Sequence, residues 1–240
     1  MTAQRLFEAV DATWPAAAFK QLGPFVLRDG QGGGKRVSAA TATGPVQSGD
    51  VALAEGAMLD AGRTPLFMIR PEDQELDAML QDSGYNLVDP VNVFQSRLNR
   101  LTDIPLPRVT AFCIWEPLAI MEEIWVKGGI GPARLAVMAR AKTKTGILAR
   151  WNEKPAGAAF AAVHDNICMV HAVEILPEQR RQGVAQWVMR AAAFWGQQQG
   201  AVEMAVLCTK SNTAANQLYS SLGFEVVSDY HYRQKDAQGA

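Results

Sequence analysis

Cysteine is scarce in this 240-residue chain, with only three residues, Cys113, Cys168 and Cys208. They form neither an even disulfide framework nor the paired spacing of a metal site, and so few thiols suit a reducing compartment. A surplus of one charge is missing as well. Lys+Arg 23 against Asp+Glu 24 leaves a formal net charge of -1, without the basic face of a nucleic-acid binder. No apolar run approaches the roughly 18 residues that a membrane span needs. The opening residues, Met1 to Glu8, carry neither the basic nor the apolar region of a secretory signal. These absences predict a soluble cytoplasmic protein with no metal, nucleic-acid or membrane partner. What is present is a core: hydrophobic residues are 48% and charged residues 20%, and the length suits two domains.

The natural joint is the segment from Asn99 to Arg108, where Pro105 and Pro107 disfavour helix between polar flanks. It predicts domains over 1–100 and 108–240. In the second, 109–115 reads as a strand. Pro117 opens a helix through about Val126, ended by Gly128-Gly129, and 132–141 reads as another helix. Strands over 145–151, 156–164 and 167–176, separated by Asn152-Glu153-Lys154-Pro155 and Asp165-Asn166, predict an antiparallel meander. Val184, Trp187, Val188, Ala191, Ala192 and Trp195 then recur at helical spacing up to Gly200. A strand over 202–207, a helix capped by Ser211 and a last strand over 224–233 follow, and the polar tail over 234–240 is expected to fray. This order implies an α/β fold with a mixed sheet and helices on both faces. The first half repeats part of it: helix 50–61, strand 65–70, helix 73–82 and extended chain over 85–98. Laying Gly62 on Gly200 brings Gly84-Tyr85 within one residue of Gly223-Phe224, which reads as an internal duplication.

The densest chemistry lies between Ile175 and Ala185. A strand ends at Pro177, turns through Glu178-Gln179-Arg180-Arg181-Gln182, and starts a helix at Gly183-Val184-Ala185. A helix start offers unpaired backbone N–H groups and the positive end of the dipole. Gly183 allows a phosphate to approach closely, Ala185 keeps the first turn uncrowded, and Arg180 and Arg181 add positive charge. An ordinary strand-to-helix turn with solvated arginines would look the same. Downstream, however, stands Asn212-x-x-Ala215-x-x-Leu218-Tyr219-x-x-x-Gly223-Phe224.

With both segments present, the chain over roughly 108–233 resembles the GNAT superfamily of acyl-coenzyme A-dependent N-acetyltransferases. The first segment is similar to the family's Gln/Arg-x-x-Gly-x-Gly/Ala pyrophosphate loop, the second to its Asn-x-x-Ala-x-x-Leu-Tyr-x-x-x-Gly-Phe segment. The resemblance implies that acetyl-CoA is co-substrate and an amine the acceptor, with Arg180, Arg181, Gln182, Gly183, Val184 and Ala185 around the pyrophosphate. It implies that Val173, Glu174 and Ile175 present a strand edge to the pantetheine amides and polarise the thioester carbonyl. Asn212 and Ala215 would contact the cofactor arm, and Tyr219 would serve as general acid to the departing thiolate. A half-buried aromatic is the structural alternative for Tyr219.

Attack by an amine also needs a base, for which His171 and Glu174 are candidates. Strict alternation places His171, Val173 and Ile175 on one face and Glu174 on the other, unless a bulge changes the parity. A core histidine and a solvated glutamate are the structural alternatives. The first half departs from the family pattern: Ala42 falls opposite Arg180 and Leu80 opposite Tyr219, so it is expected to be a degenerate GNAT-like domain that binds no coenzyme A. Gly30-x-Gly32-Gly33-Gly34-Lys35 lacks both the earlier glycine and the Ser or Thr of a P-loop and reads as a hairpin connection. The expectation is therefore a tandem GNAT-fold enzyme that moves an acetyl group to a primary amine by direct attack in a ternary complex. A non-catalytic acyl-CoA sensor and a protein lysine or N-terminal acetyltransferase are the rivals, and the oligomeric state is left open.

Overall fold

The computed structural model describes residues 3–235. In chain order its elements are α1 (Ala3–Thr13), β1 (Ala18–Leu22), β2 (Phe25–Asp29), β3 (Thr41–Ala42), α2 (Ser48–Asp60), β4 (Leu66–Ile69), α3 (Gln74–Asp82), β5 (Asn86–Arg97) and β6 (Ala111–Ile114). There follow α4 (Ala119–Lys127), α5 (Pro132–Arg140), β7 (Thr143–Trp151), β8 (Lys154–His164), β9 (Ile167–Ile175), α6 (Val184–Gln198), β10 (Glu203–Thr209), α7 (Thr213–Ser221) and β11 (Glu225–Gln234). The tail expected to fray lies, beyond Lys235, outside the described residues.

The chain divides into two compact units, and the division differs from a single cut near residue 100. The first takes the residues up to Pro15, Val93–Cys208 and Thr213–Val227; the second takes Ala16–Asn92, Thr209–Asn212 and the chain from Ser228 on. Helix α1 thus belongs with the C-terminal half of the sequence. Its apolar residues Leu6, Phe7, Val10 and Trp14 recur at helical spacing and are all buried.

In the first unit, β7, β8 and β9 form the expected antiparallel meander, β6 adds to β7 antiparallel, and β10 joins β9 in parallel. The parallel step requires a crossover, which α6 supplies. Helix α6 packs on β6, β7, β8 and β9 through Val184, Val188, Met189 and Ala191 to Ala193. Trp195 packs partly buried against the same core. Helices α1 and α4 both pack on β8 and β9. At Gly146 of β7 a Cβ would lie 2.5 Å from Met121 Cε and 3.7 Å from Trp125 Cη2, so the missing side chain is what lets α4 sit down on the sheet.

The second unit has its own core around Phe25, Phe67, Leu76, Leu80 and Tyr85. Strands β1, β2 and β3 make a three-stranded antiparallel sheet, and β4 pairs with the end of β11. Gly30 to Gly34 lies in the connection between the paired strands β2 and β3, as expected. A Cβ on Gly30 would sit 2.7 Å from the Val37 carbonyl oxygen, so this loop is folded onto itself.

The repeat seen in the sequence is also present in the local geometry. Gly62 and Gly200 follow α2 and α6 with φ of 67° and 83°. Beyond them Arg63 N–H donates to Met58 and Ala201 N–H to Gly196, the same six-residue closure. Gly84 and Gly223 both have φ of 79° after α3 and α7. Tyr85 N–H then donates to Leu80 and Phe224 N–H to Tyr219, which puts Leu80 and Tyr219 at equivalent positions. Ser211, expected to cap α7, instead sets its hydroxyl 3.4 Å from Thr209 Oγ1.

Candidate active site

The site begins where two parallel strands part. Strands β9 and β10 pair from Ile167↔Glu203 to Val170↔Val206 and no further, although both continue. From His171 on, the β9 edge that faced β10 is released from that ladder. On its other side β9 stays paired with β8, but the register jumps between Phe160↔His171 and Ala158↔Glu174. One extra residue on β9 is a bulge, and Ala172 carries its strain at φ 51°. The indole of Trp125, on α4, donates to the Ala172 carbonyl at 2.9 Å and pins the bulge.

This bulge corrects the parity expected from strict alternation. Directly opposed residues share a face, and Ala158 and Phe160 are two apart on β8. Their partners Glu174 and His171 therefore lie on the same face of the sheet. On that face their surroundings differ. His171 is 4% exposed, with Nε2 3.0 Å from Thr13 Oγ1, and its ring packs against Trp14 and Phe160 at centroid distances of 5.1 and 6.2 Å. That fits the structural alternative, a packed histidine held by α1. Glu174 lies against Gly128 at the end of α4, and Arg180 Nη2 donates to its Oε1 at 3.1 Å. It lines a cavity of about 330 Å³ with Ile124, Lys127, Leu176, Pro177, Glu178 and Arg180.

The loop that follows is built to leave backbone donors open. Pro177–Gln179 forms one 3-10 turn, Arg181 takes φ 60°, and Gly183 takes φ 79° immediately before α6. No side chain among the described residues caps α6. The N–H groups of Val184 and Ala185 have no partner within the helix, whereas those of Gln186 and Trp187 turn back to the Gly183 carbonyl at 3.0 and 3.4 Å. A Cβ built on Gly183 would meet no atom within 4 Å, so space is open where the backbone is barest. The equivalent start of α2 is closed by its own acid, Asp50, whose carboxylate accepts the Gln47 N–H at 2.9 Å. The difference follows the sequence: the glycine and the arginines stand only in the second copy.

Tyr219 is 5% exposed between Phe94 and Phe224, with ring centroids 5.6 and 6.0 Å away. Burial, with Cys208 beside it, holds its phenol well above the usual tyrosine range, so it keeps its proton at neutral pH. Burial also pushes the Cys208 thiol up to about 11, which removes it as a thiolate nucleophile. Asn212 lies in the turn before α7, its N–H donating to Thr209 at 3.0 Å, and Ala215 is half-buried on α7. Sequence reasoning did not single out Thr13, Trp14, Trp125 or Gly128 as parts of the site. The apolar spacing of α1 was a readable signal for Trp14, but the bond from Trp125 spans 47 residues and had none.

Known proteins resemble this chain in sequence and in fold. A sequence model of the Acetyltransferase (GNAT) family matches residues 115–224. The chain is 28% identical over 236 residues to "Uncharacterized N-acetyltransferase YobR" of Bacillus subtilis (strain 168), spanning 93% of this chain and 95% of that protein. Among solved structures, a GCN5-related N-acetyltransferase from Kribbella flavida superposes with a TM-score of 0.75 at 19% identity, over 98% of this chain and 96% of that one. A tandem GNAT protein from the clavulanic acid biosynthesis pathway does so with a TM-score of 0.60 at 14% identity, over 90% and 78% of the two chains. Residues 115–224 thus carry a GNAT acetyltransferase domain, of the kind that transfers acyl groups from acyl-coenzyme A to nitrogen.

Proposed function

We propose that the protein transfers an acetyl group from acetyl-CoA to a primary amine on a small molecule, by direct attack in a ternary complex. The observation that carries this reading is the parting of β9 and β10 after Val170 and Val206, together with the bare start of α6 behind Gly183. Acetyl-CoA supplies the acyl group as a thioester. The backbone N–H groups from Gln182 to Ala185, with the Arg180 and Arg181 side chains, hold its diphosphate. The released edge of β9 at Val173, Glu174 and Ile175 pairs with amides of the pantetheine arm, and a backbone N–H there polarises the carbonyl. Asn212 and Ala215 flank the arm.

Two proton tasks remain. Tyr219 Oη presents its proton to the sulfur that departs, which requires a phenol that is still protonated. Glu174 takes the proton of the amine, because it lines the cavity while His171 is closed in by Thr13 and Trp14. The cavity of about 330 Å³ favours a compact acceptor over a protein chain. The second unit, whose helix α2 is closed by Asp50, acts as a degenerate GNAT-like partner domain that binds no coenzyme A.

Isothermal titration with acetyl-CoA tests the reading on wild type and on a Gly183→Trp/Arg180→Ala variant. Micromolar binding that the folded variant loses is expected, followed by free-thiol release with a member of an amine panel. Well-folded wild type that binds no acetyl-CoA would sink the proposal. Binding without turnover on any amine would leave the sensor reading in its place.

A further inference from the structure

Arg180 has two jobs that compete. It opens the pyrophosphate loop, yet its guanidinium is turned back onto the strand: Nη2 donates to Glu174 Oε1 at 3.1 Å and Nε to the Ile175 carbonyl at 2.9 Å. Two donors to adjacent residues fix the orientation of the fork better than a single contact would. The side chain of Arg180 is 56% exposed and that of Glu174 only 20%. The cation is therefore within reach of a ligand, while the carboxylate is the better sheltered member of the pair.

Glu174 is held from its other side too. A Cβ on Gly128 would lie 2.4 Å from Glu174 Oε2, 2.6 Å from its Cδ and 2.7 Å from its Cγ. The carboxylate occupies the space that a side chain at the end of α4 would take. Gly128 itself has φ −83°, a conformation any residue adopts, so what the glycine provides here is room for the acid.

We infer that Arg180 and Gly128 are positioning residues that hold Glu174 in a parked ion pair, and that the diphosphate of acetyl-CoA draws Arg180 away and releases Glu174 toward the acceptor cavity. This rests on the reading that acetyl-CoA binds at the α6 start. A diphosphate carries more negative charge than one carboxylate and accepts the same fork of donors, so it outcompetes Glu174 for the guanidinium. The base then becomes free only when the acyl donor is in place, which makes acetyl-CoA the first substrate to bind and withholds the proton acceptor until then.

The test needs no knowledge of the amine. Acetyl-CoA affinity is measured by titration calorimetry for wild type, Glu174→Gln, Arg180→Ala and the double variant, with S-acetylpantetheine, which lacks the diphosphate, as the control ligand. Breaking the parked pair by Glu174→Gln tightens acetyl-CoA binding by roughly two- to fivefold, the range of an exposed ion pair. The gain vanishes in the Arg180→Ala background and for S-acetylpantetheine. Gly128→Ala, which displaces the carboxylate without removing its charge, reproduces part of the gain. Equal tightening with and without Arg180 would mean that Glu174 acts only as a distant negative charge, and would overturn the inference. So would an unchanged or weaker affinity of Glu174→Gln. Failure of wild type to bind acetyl-CoA at all would instead overturn the acyltransferase reading on which it rests.

Discussion

The bulge at Ala172 puts His171 and Glu174 of β9 on one face, and a hydrogen bond from Trp125 holds it. Trp125→Phe removes that bond and keeps most of the ring. The indole is fully buried, so its loss has two parts. Leaving the Ala172 carbonyl without its donor costs about 1–3 kcal/mol. The smaller ring leaves a void of roughly 40 Å³, which at about 24 cal/mol per Å³ adds ~1 kcal/mol. Together they give a destabilisation of about 2–4 kcal/mol, read as a drop in urea midpoint with an unchanged slope. A second substitution isolates the strain. At φ 51° the Ala172 side chain costs about 1–2 kcal/mol, against ~0.5–1 kcal/mol of extra chain entropy for glycine. Ala172→Gly is therefore neutral to slightly stabilising alone. In the Trp125→Phe background it recovers more than it gains alone, because both act on one backbone segment. Strict additivity of the two, or a Trp125→Phe loss below ~0.5 kcal/mol, would refute the view that the indole maintains the bulge.

Two further outcomes follow from the geometry. Tyr219→Phe keeps the packing against Phe94 and Phe224 and removes only the hydroxyl. Turnover in a thiol-release assay should fall by roughly a hundredfold, with acetyl-CoA affinity within about twofold of wild type; unchanged turnover would remove Tyr219 from the chemistry. In the second unit, Asp77 accepts Arg233 Nε at 2.6 Å and Nη2 at 3.1 Å and faces His231 Nε2 at 2.8 Å. Arg233 beside it, then His231, holds its carboxyl below the usual range. A depressed carboxylate contributes stability that is present above about pH 4 and is lost as pH falls through the folded value. Asp77→Asn should cost roughly 2–4 kcal/mol at neutral pH, because Arg233 is left buried with fewer partners, and should flatten the acid limb of stability against pH. An acid limb identical to that of wild type would show that other groups carry it.

Much of this fold was legible because its signals are local. The meander from β7 to β9 is written in turn residues a few positions long, and the repeated glycine closures at Gly62, Gly200, Gly84 and Gly223 need nothing beyond one helix end. The loop over Arg180 to Ala185 and the segment over Asn212 to Phe224 are likewise contiguous. What was not legible depends on distant partners. Helix α1 belongs to the first unit because Leu6, Phe7, Val10 and Trp14 are buried there, and Thr13 reaches His171 across 158 residues. A boundary placed at a proline-rich joint cannot register such a return of the chain.

Distance in sequence also makes the proposed base harder to read than the proposed acid. Tyr219 is set by its own helix and the Gly-Phe turn after it, so its place follows from its motif. The placement of Glu174 depends on three things outside its strand pattern: the extra residue at Ala172, the indole of Trp125 that anchors it, and the missing side chain at Gly128. Strand parity read from sequence puts His171 and Glu174 on opposite faces and makes them independent candidates. The bulge puts them on one face and turns the choice into a question of surroundings. There, His171 is closed in by an aromatic enclosure and a threonine partner, whereas Glu174 lines a cavity beside Arg180, which is why Glu174 is the base we propose.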